Sequence, residues 1–230
     1  YNRMIRSANS RTGLVLSAIG GVETALWDLL GKILEVPVCR LLGGKYRDRI
    51  RLYADVGRGS ENTPEAWAQR AREGVAEGYQ AIKFDIDNSA NELSLDSANL
   101  ELSTAELEKM TSLVAAVREA VGDEIDLCID CHALYSVHSA TNLAERLEPF
   151  DLMFLEDPVP NDNVEAMAEV TASTRIPICT GEYLHRRDGF RELIQMHACD
   201  MLHVDVSGTG GMLESKRIAD LADLYLMPFA

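Results

Sequence analysis

From residue 50 onward, short apolar runs alternate with longer segments in which apolar positions recur every three or four residues. The runs cover residues 50–55, 81–86, 125–130, 152–156, 176–180, 201–206 and 224–229. From the third run on, the starts at 125, 152, 176, 201 and 224 fall 27, 24, 25 and 23 residues apart. That interval accommodates one strand, one helix and two loops, so the pattern predicts repeated βα units in a parallel sheet. Helix starts are marked as well. Thr63-Pro64-Glu65 offers a cap followed by proline at the first helical position, and Ser103-Thr104-Ala105-Glu106 offers a capping box. Seven units favour an α/β fold of the (β/α) TIM-barrel type. An open doubly wound sheet would usually carry a glycine-rich phosphate turn after its first strand, and Asp55-Val56-Gly57-Arg58-Gly59 is a weak match to one. Residues 1–46 read as a separate helical linker segment, ended by Gly43-Gly44, with 47–230 as the partial barrel. Within the first segment one helix is expected over 17–34, where Ile19, Val22, Leu26, Leu29, Leu30 and Ile33 share helical spacing and require a partner surface. The polar stretch 87–103 lengthens the connection after the second run and is expected to act as a lid or substrate contact.

Alternate residues of a strand share a face, so counting by twos shows which polar groups meet. Lys83 and Asp85 share a face of the second run; Asp126, Cys128, Asp130 and His132 share one of the third. Phe154 aligns with Glu156, Thr180 with Glu182, and His203 with Asp205 and Ser207. Each run from the second to the sixth thus has an acid at or just past its carboxyl end, the end that carries the active site in βα barrels. Converging carboxylates repel one another unless a cation neutralises them, and oxygen donors without paired His or Cys favour Mg²⁺ over zinc. The competing reading is that these acids cap helices or form ion pairs.

Charge and composition narrow the partners. The chain has 37 acidic against 22 basic residues, a formal charge of -15, and no Lys/Arg-rich stripe. Nucleic acid is therefore not expected as a partner. With 47% apolar residues the chain can bury a sizeable core, and no unbroken apolar run is long enough to suggest a membrane span, so none is expected. Five cysteines are an odd number in a chain too long to need stapling, which points to reduced thiols and a cytoplasmic location. Cys128 and Cys131 are spaced so that they face opposite ways in a strand, which argues against redox pairing or zinc.

The acids are also regularly spaced: Asp130 to Glu156 and Glu156 to Glu182 are each 26 residues, and Glu182 to Asp205 is 23. Together with Ser17-Ala18-Ile19 through Ala25-Leu26-Trp27-Asp28, Leu41-Leu42-Gly43-Gly44, Leu155-Glu156-Asp157-Pro158 and Thr180-Gly181-Glu182, the sequence resembles the enolase superfamily, in the branch of mandelate racemase and the acid-sugar dehydratases. The resemblance covers nearly the whole chain. It implies that Asp130, Glu156 and Glu182 are Mg²⁺ ligands at the ends of successive strands, with Asp157 standing where the family commonly has Glu. It further implies removal of the proton beside a substrate carboxylate, with Mg²⁺ as Lewis acid and a residue of matched pKa as base.

By the same resemblance the second strand is diagnostic. The racemase pattern is Lys-x-Lys, whereas this chain has Lys83-Phe84-Asp85, and Asp85 cannot replace the basic lysine. Asp130-Cys131-His132 resembles the Asp-x-His of sugar-acid dehydratases, in which the His protonates the departing hydroxyl. Asp205 matches the Asp that orients a His base in those enzymes. The expectation is a hydro-lyase acting on an aldonic or aldaric acid, with His132, Asp205 and Lys83 as catalytic residues and Asp85 and Tyr135 contacting substrate. Lys83 binds the substrate carboxylate or neutralises Asp85; Arg58 and Arg186 are further candidates for contacting the acid, and His138, His185 and His197 read as surface or helix-start residues. By the same resemblance residues 1–46 are a helical linker segment from the N-terminal capping region; the family continues with a His-containing turn where this chain stops at Ala230, and its eighth strand and the rest of the capping domain are not expected here, so a fragment of a homo-oligomer is expected. Two rivals remain open: racemisation or epimerisation of a 2-hydroxy acid on the same site, and a non-catalytic metal-binding fragment.

Overall fold

The computed structural model describes residues 1–8, 12–57, 61–86 and 101–230. The chain divides into two compact units: Tyr1–Ile50 together with Thr180–Ala230, and Arg51–Cys179. Among the described residues, strands β1 (Ala54–Asp55), β2 (Ala81–Asp85), β3 (Asp126–Asp130), β4 (Leu152–Glu156), β5 (Ile178–Thr180) and β6 (Met201–Leu202) follow sequence order in one six-stranded sheet. The pairings from β1–β2 through β4–β5 are all parallel, as expected for successive βα units.

In the unit Arg51–Cys179 the helices begin where the caps predict. Helix α4 (Pro64–Ala76) starts after Thr63, whose side chain accepts the Ala66 amide, and α5 (Thr104–Val121) starts with the full Ser103/Glu106 capping box. Leu107, Met110, Leu113, Val114 and Val117 bury one face of α5, while Arg118 near its end donates to the carbonyls of Gly122, Ile125, Phe150 and Asp151. Trp67 of α4 stacks on Phe84 of β2 with ring centroids 4.8 Å apart. Strands β2, β3 and β4 are buried on both faces, which explains their nearly unbroken apolar character. Helices α6 (Val137–Leu147) and α7 (Val164–Ser173) complete this unit.

Some strands are shorter than their runs. Residues 50–53 do not join β1; Arg51 instead pairs with Asp126 and donates to the Gln80 carbonyl. Pro177 has no amide to donate, and β5 begins only after it. In the other unit β6 stops at Leu202, because Asp205 caps a short helix, α9 (Val206–Thr209), by accepting the Ser207 amide; α8 (Arg186–Gln195) precedes β6 in the chain. The seventh run reduces to an isolated parallel bridge between Leu202 and Phe229, with Leu226 left-handed at φ 56 and Pro228 unable to donate.

Among the described residues the first segment holds three helices rather than one: α1 (Asn2–Ser7), α2 (Gly13–Leu34) and α3 (Val38–Leu41). Helix α2 also presents the face that its apolar pattern does not predict. Val22, Leu26, Leu29, Leu30 and Ile33 are 41–67% exposed, and the buried positions are Leu16, Gly20, Glu23 and Gly31. The reason is steric: a Cβ on Gly20 would lie 2.9 Å from the Ser207 carbonyl and 3.0 Å from the Gly211 amide, so only glycine admits that close approach. By length and composition alone α2 is long and apolar enough to cross a membrane, although Glu23 and Asp28 interrupt its apolar run. Helix α10 (Met212–Asp223) completes this unit. Arg58 and residues 87–100 of the expected lid lie outside the described residues.

Candidate active site

The register of the parallel sheet sets three acids side by side. Asp85 at the end of β2 is paired with Asp130 of β3, and Asp130 with Glu156 of β4. Two residues earlier on β2, Lys83 projects to the same face, and its ammonium lies 2.6 Å from both Asp130 Oδ2 and Glu156 Oε2. Lys83, Asp130 and Glu156 are all buried. Burial works against the Lys83 charge, but the Coulombic pull of Glu156 and then Asp130, with a hydrogen bond to each, raises its pKa above the ordinary lysine value. Asp130 moves upward too, driven first by burial and then by Glu156, with Lys83 opposing. The expectation that Lys83 neutralises Asp85 thus missed its principal partners, the two buried acids.

Past β3 the chain turns sharply. His132 and Ala133 have left-handed backbones, φ 48 and 58, unusual for side chains with a Cβ. The turn is held by the His132 amide donating to Asp130 Oδ1 at 2.9 Å, and by the amides of Cys131 and Ala133 donating to the carbonyls of Glu156 and Asp157. It brings the half-buried His132 ring back over the acids, with Nε2 3.7 Å from Asp130 Oδ2. Ligand atoms of Asp85, Asp130 and His132 all lie within 4.8 Å of one another. Tyr135, a candidate substrate contact, is 5% exposed.

One neighbour escaped the sequence reasoning. Tyr53 places its ring 5.9 Å from Lys83 Nζ and edge-on to Phe154, and burial raises its phenol pKa against the pull of Lys83. Its alternation with Asp55 in the first run was the available signal. Cys128, on the inward face, has its thiol pushed up to about 12, chiefly by burial, and is inert at neutral pH. Among the described residues no disulfide joins any of the five cysteines.

Glu182 and Asp205 belong to the other unit. Glu182 is half-buried beyond β5, next to Gly181 at φ 137. Asp205 is exposed at the start of α9, where burial is outweighed by bonds from Ser207 and Gly208 that lower its pKa. Arg186 follows in α8 and pairs with Asp188. His138 lies in the first turn of α6 and His197 just past α8, as expected; His185 stands at the start of α8 without capping it, and its ring bridges two backbone segments, with Nε2 3.2 Å from the Gly13 amide and Nδ1 3.1 Å from the Gly208 carbonyl.

Carboxylates abreast at the carboxyl ends of parallel strands, with one ammonium among them and an imidazole above, make this an α/β protein whose strand ends group acids and bases. The chain belongs to the mandelate racemase / muconate lactonizing enzyme family of the enolase superfamily: residues 66–230 match the enolase C-terminal domain-like family and residues 2–43 the mandelate racemase / muconate lactonizing enzyme N-terminal domain. It is 45% identical over 222 residues to the D-xylonate dehydratase of Haloferax volcanii, covering 96% of this chain and 54% of that protein. It is 37% identical over 232 residues to the D-galactonate dehydratase of Xanthomonas oryzae pv. oryzae, covering 100% and 58%. A mandelate racemase/muconate lactonizing enzyme-like protein from Rubrobacter xylanophilus superposes with a TM-score of 0.93 at 44% identity, covering 99% of this chain and 61% of that one. The chain thus spans between half and two thirds of the length of these relatives.

Asp130, Glu156 and Asp85 supply hard oxygen donors, and one buried ammonium leaves their combined charge negative. That donor chemistry fits a hard divalent cation.

Proposed function

We propose that this chain carries the active site of a Mg²⁺-dependent hydro-lyase that dehydrates an aldonic or aldaric acid. The observation that carries the reading is the grouping of His132 with Asp85 and Asp130 beside the Lys83-bridged pair Asp130/Glu156. Asp130 and Glu156 would hold the metal, with Glu182 as the third donor on the strength of the family resemblance alone. When bound, Mg²⁺ supplies a Lewis acid for the substrate carboxylate.

The chain's own residues then divide the remaining work. Lys83 pairs with two buried carboxylates, holds their orientation and adds positive charge beside the substrate carboxylate. His132 Nε2 donates a proton to the departing β-hydroxyl, so that it leaves as water. Asp85 accepts hydrogen bonds from substrate hydroxyls, Tyr135 contacts the substrate, and Asp205 orients the base that removes the α-proton. The names of the relatives, D-xylonate and D-galactonate dehydratase, support both the reaction type and the substrate class.

The test is to incubate the intact protein with D-xylonate, D-gluconate, D-galactonate and the corresponding diacids in Mg²⁺ and to assay 2-keto acid. Product is expected from at least one acid and should be lost in His132→Asn. Exchange of the α-hydrogen with deuterated solvent, without loss of water, would replace dehydration by racemisation or epimerisation. Mg²⁺ binding with neither reaction would favour a non-catalytic role.

A further inference from the structure

Helix α10 begins at Met212 after Gly211, which has no side chain to cap it. The cap comes from 189 residues away: Glu23 of α2 accepts the Met212 amide at 2.9 Å through Oε2 and the Leu213 amide at 3.1 Å through Oε1. The same Oε1 accepts the Trp27 indole N–H, and Glu23 is only 3% exposed. One turn earlier on the helix, Gly20 lies against the Ser207 carbonyl and the Gly211 amide, and Leu16 against Gly210. His185 approaches the Gly208 carbonyl at 3.1 Å. Inside this frame Asp205 Oδ1 accepts the Ser207 amide at 2.8 Å and the Ser207 hydroxyl at 2.7 Å, while the Gly211 amide donates to the Val206 carbonyl at 2.9 Å.

We infer that Glu23 is a positioning residue for Asp205: by clamping the far end of the 205–211 turn, its buried carboxylate fixes the direction in which Asp205 points. The inference rests on the reading that Asp205 orients the catalytic base. Four of the seven residues from 205 to 211 are Gly or Ser, and Gly210 and Gly211 have φ 115 and 105, so the turn has little intrinsic stiffness. Its internal bonds are those of the single short helix α9, and Glu23 adds an anchor from outside where the segment runs into α10. Glutamine at position 23 keeps the size but places an amide N–H₂ where one of the accepting oxygens stood, facing a backbone donor or the indole.

The experiment compares Glu23→Gln, Asp205→Asn and the control Lys32→Ala, an exposed position of the same helix, in the intact protein. Amide hydrogen exchange over residues 205–213 and the indole N–H resonance of Trp27 report the clamp. Steady-state kinetics on the acid found to be dehydrated report the consequence. In Glu23→Gln, faster exchange confined to 205–213, a moved Trp27 resonance and roughly tenfold or greater loss of kcat at unchanged KM are expected. Lys32→Ala should change none of these. Faster exchange with kcat intact would make Glu23 a structural cap only and overturn the inference, as would unchanged exchange. If Asp205→Asn retains full kcat, the reading of Asp205 falls and the catalytic part of the inference falls with it, while the exchange data still report whether the clamp exists.

Discussion

Asp130 and Glu156, in one unit, share the ammonium of Lys83, whereas Glu23, in the other, is satisfied by two backbone amides and an indole. All three carboxylates are buried, yet the two arrangements have different physical consequences. A carboxylate held by fixed peptide dipoles is neutralised by the fold itself, and its partners cannot leave without unwinding a helix end. A carboxylate held by a lysine is neutralised by a long side chain whose charge another cation can supplement or replace. The first arrangement builds structure; the second keeps anionic oxygens together in a form available to chemistry.

The largest expected effect separates the two directly. Lys83→Met removes the shared cation and leaves two buried like charges, which should cost ~3–5 kcal/mol of unfolding free energy in metal-free buffer at neutral pH. Because the lost charge was positive, saturating Mg²⁺ should recover more stability in the variant than in the parent. Urea denaturation with and without Mg²⁺ measures both quantities. An equal Mg²⁺ increment in the two proteins would mean that Lys83 and the metal do not serve the same carboxylates. If Lys83→Met does not accumulate, Lys83→Arg, which keeps the charge, should restore a folded protein.

A smaller effect tests the fixed-dipole arrangement. Gly20 and Gly21 are neighbours on α2, but a Cβ on Gly20 would enter the backbone of the 205–211 turn, whereas one on Gly21 would have nothing within 4 Å. Gly20→Ala is therefore expected to destabilise by ~1–3 kcal/mol through overpacking, and Gly21→Ala to stabilise by ~0.5–1 kcal/mol through helix propensity. Opposite signs at adjacent positions, read from two denaturation midpoints, would establish that α2 docks through its small-residue face. Equal signs would sink that docking.

The same contrast explains what the sequence made legible. Period-two counting grouped Lys83, Asp85, Asp130 and Glu156 because a strand's side-chain direction is set by the backbone, and parallel register then aligned them; His132 lies past the end of β3 and reaches them through a left-handed turn that such counting does not describe. Local caps such as Thr63 and the Ser103/Glu106 box were legible because both partners lie within three residues. The docking face of α2 was not, since apolar periodicity assumes that the greasy face is the buried one, and here glycines and a glutamate make the contact. Glu23 and Met212 are joined only by tertiary structure, so no local pattern announces them. Strand limits failed for a related reason: Pro177, Pro228 and the Asp205 cap end hydrogen-bonded ladders inside runs whose hydrophobicity continues.

A fourth carboxylate, at the surface, gives the smallest effect and a pH signature. Glu148, which precedes β4, accepts the Arg175 amide at 3.0 Å and the Thr174 hydroxyl at 3.1 Å ahead of β5, and the Arg175 guanidinium lies 3.3 Å away. These bonds, the Arg175 amide first, hold its pKa below the ordinary glutamate value of 4.5. Between the folded and unfolded values the unfolded chain binds more protons than the native state, so stability falls as pH drops through that window. Above pH 4.5 the contribution is complete; below the lowered folded value it is gone. Glu148→Gln should keep an acceptor for one donor but carry no titrating charge. The parent is therefore expected to exceed the variant in stability at pH 6, and the gap should close as the pH falls below 4.5. Urea midpoints for the two proteins across that range decide it. A gap independent of pH would show that Glu148 acts through shape alone and that, unlike the buried acids, its charge is not what joins the two turns.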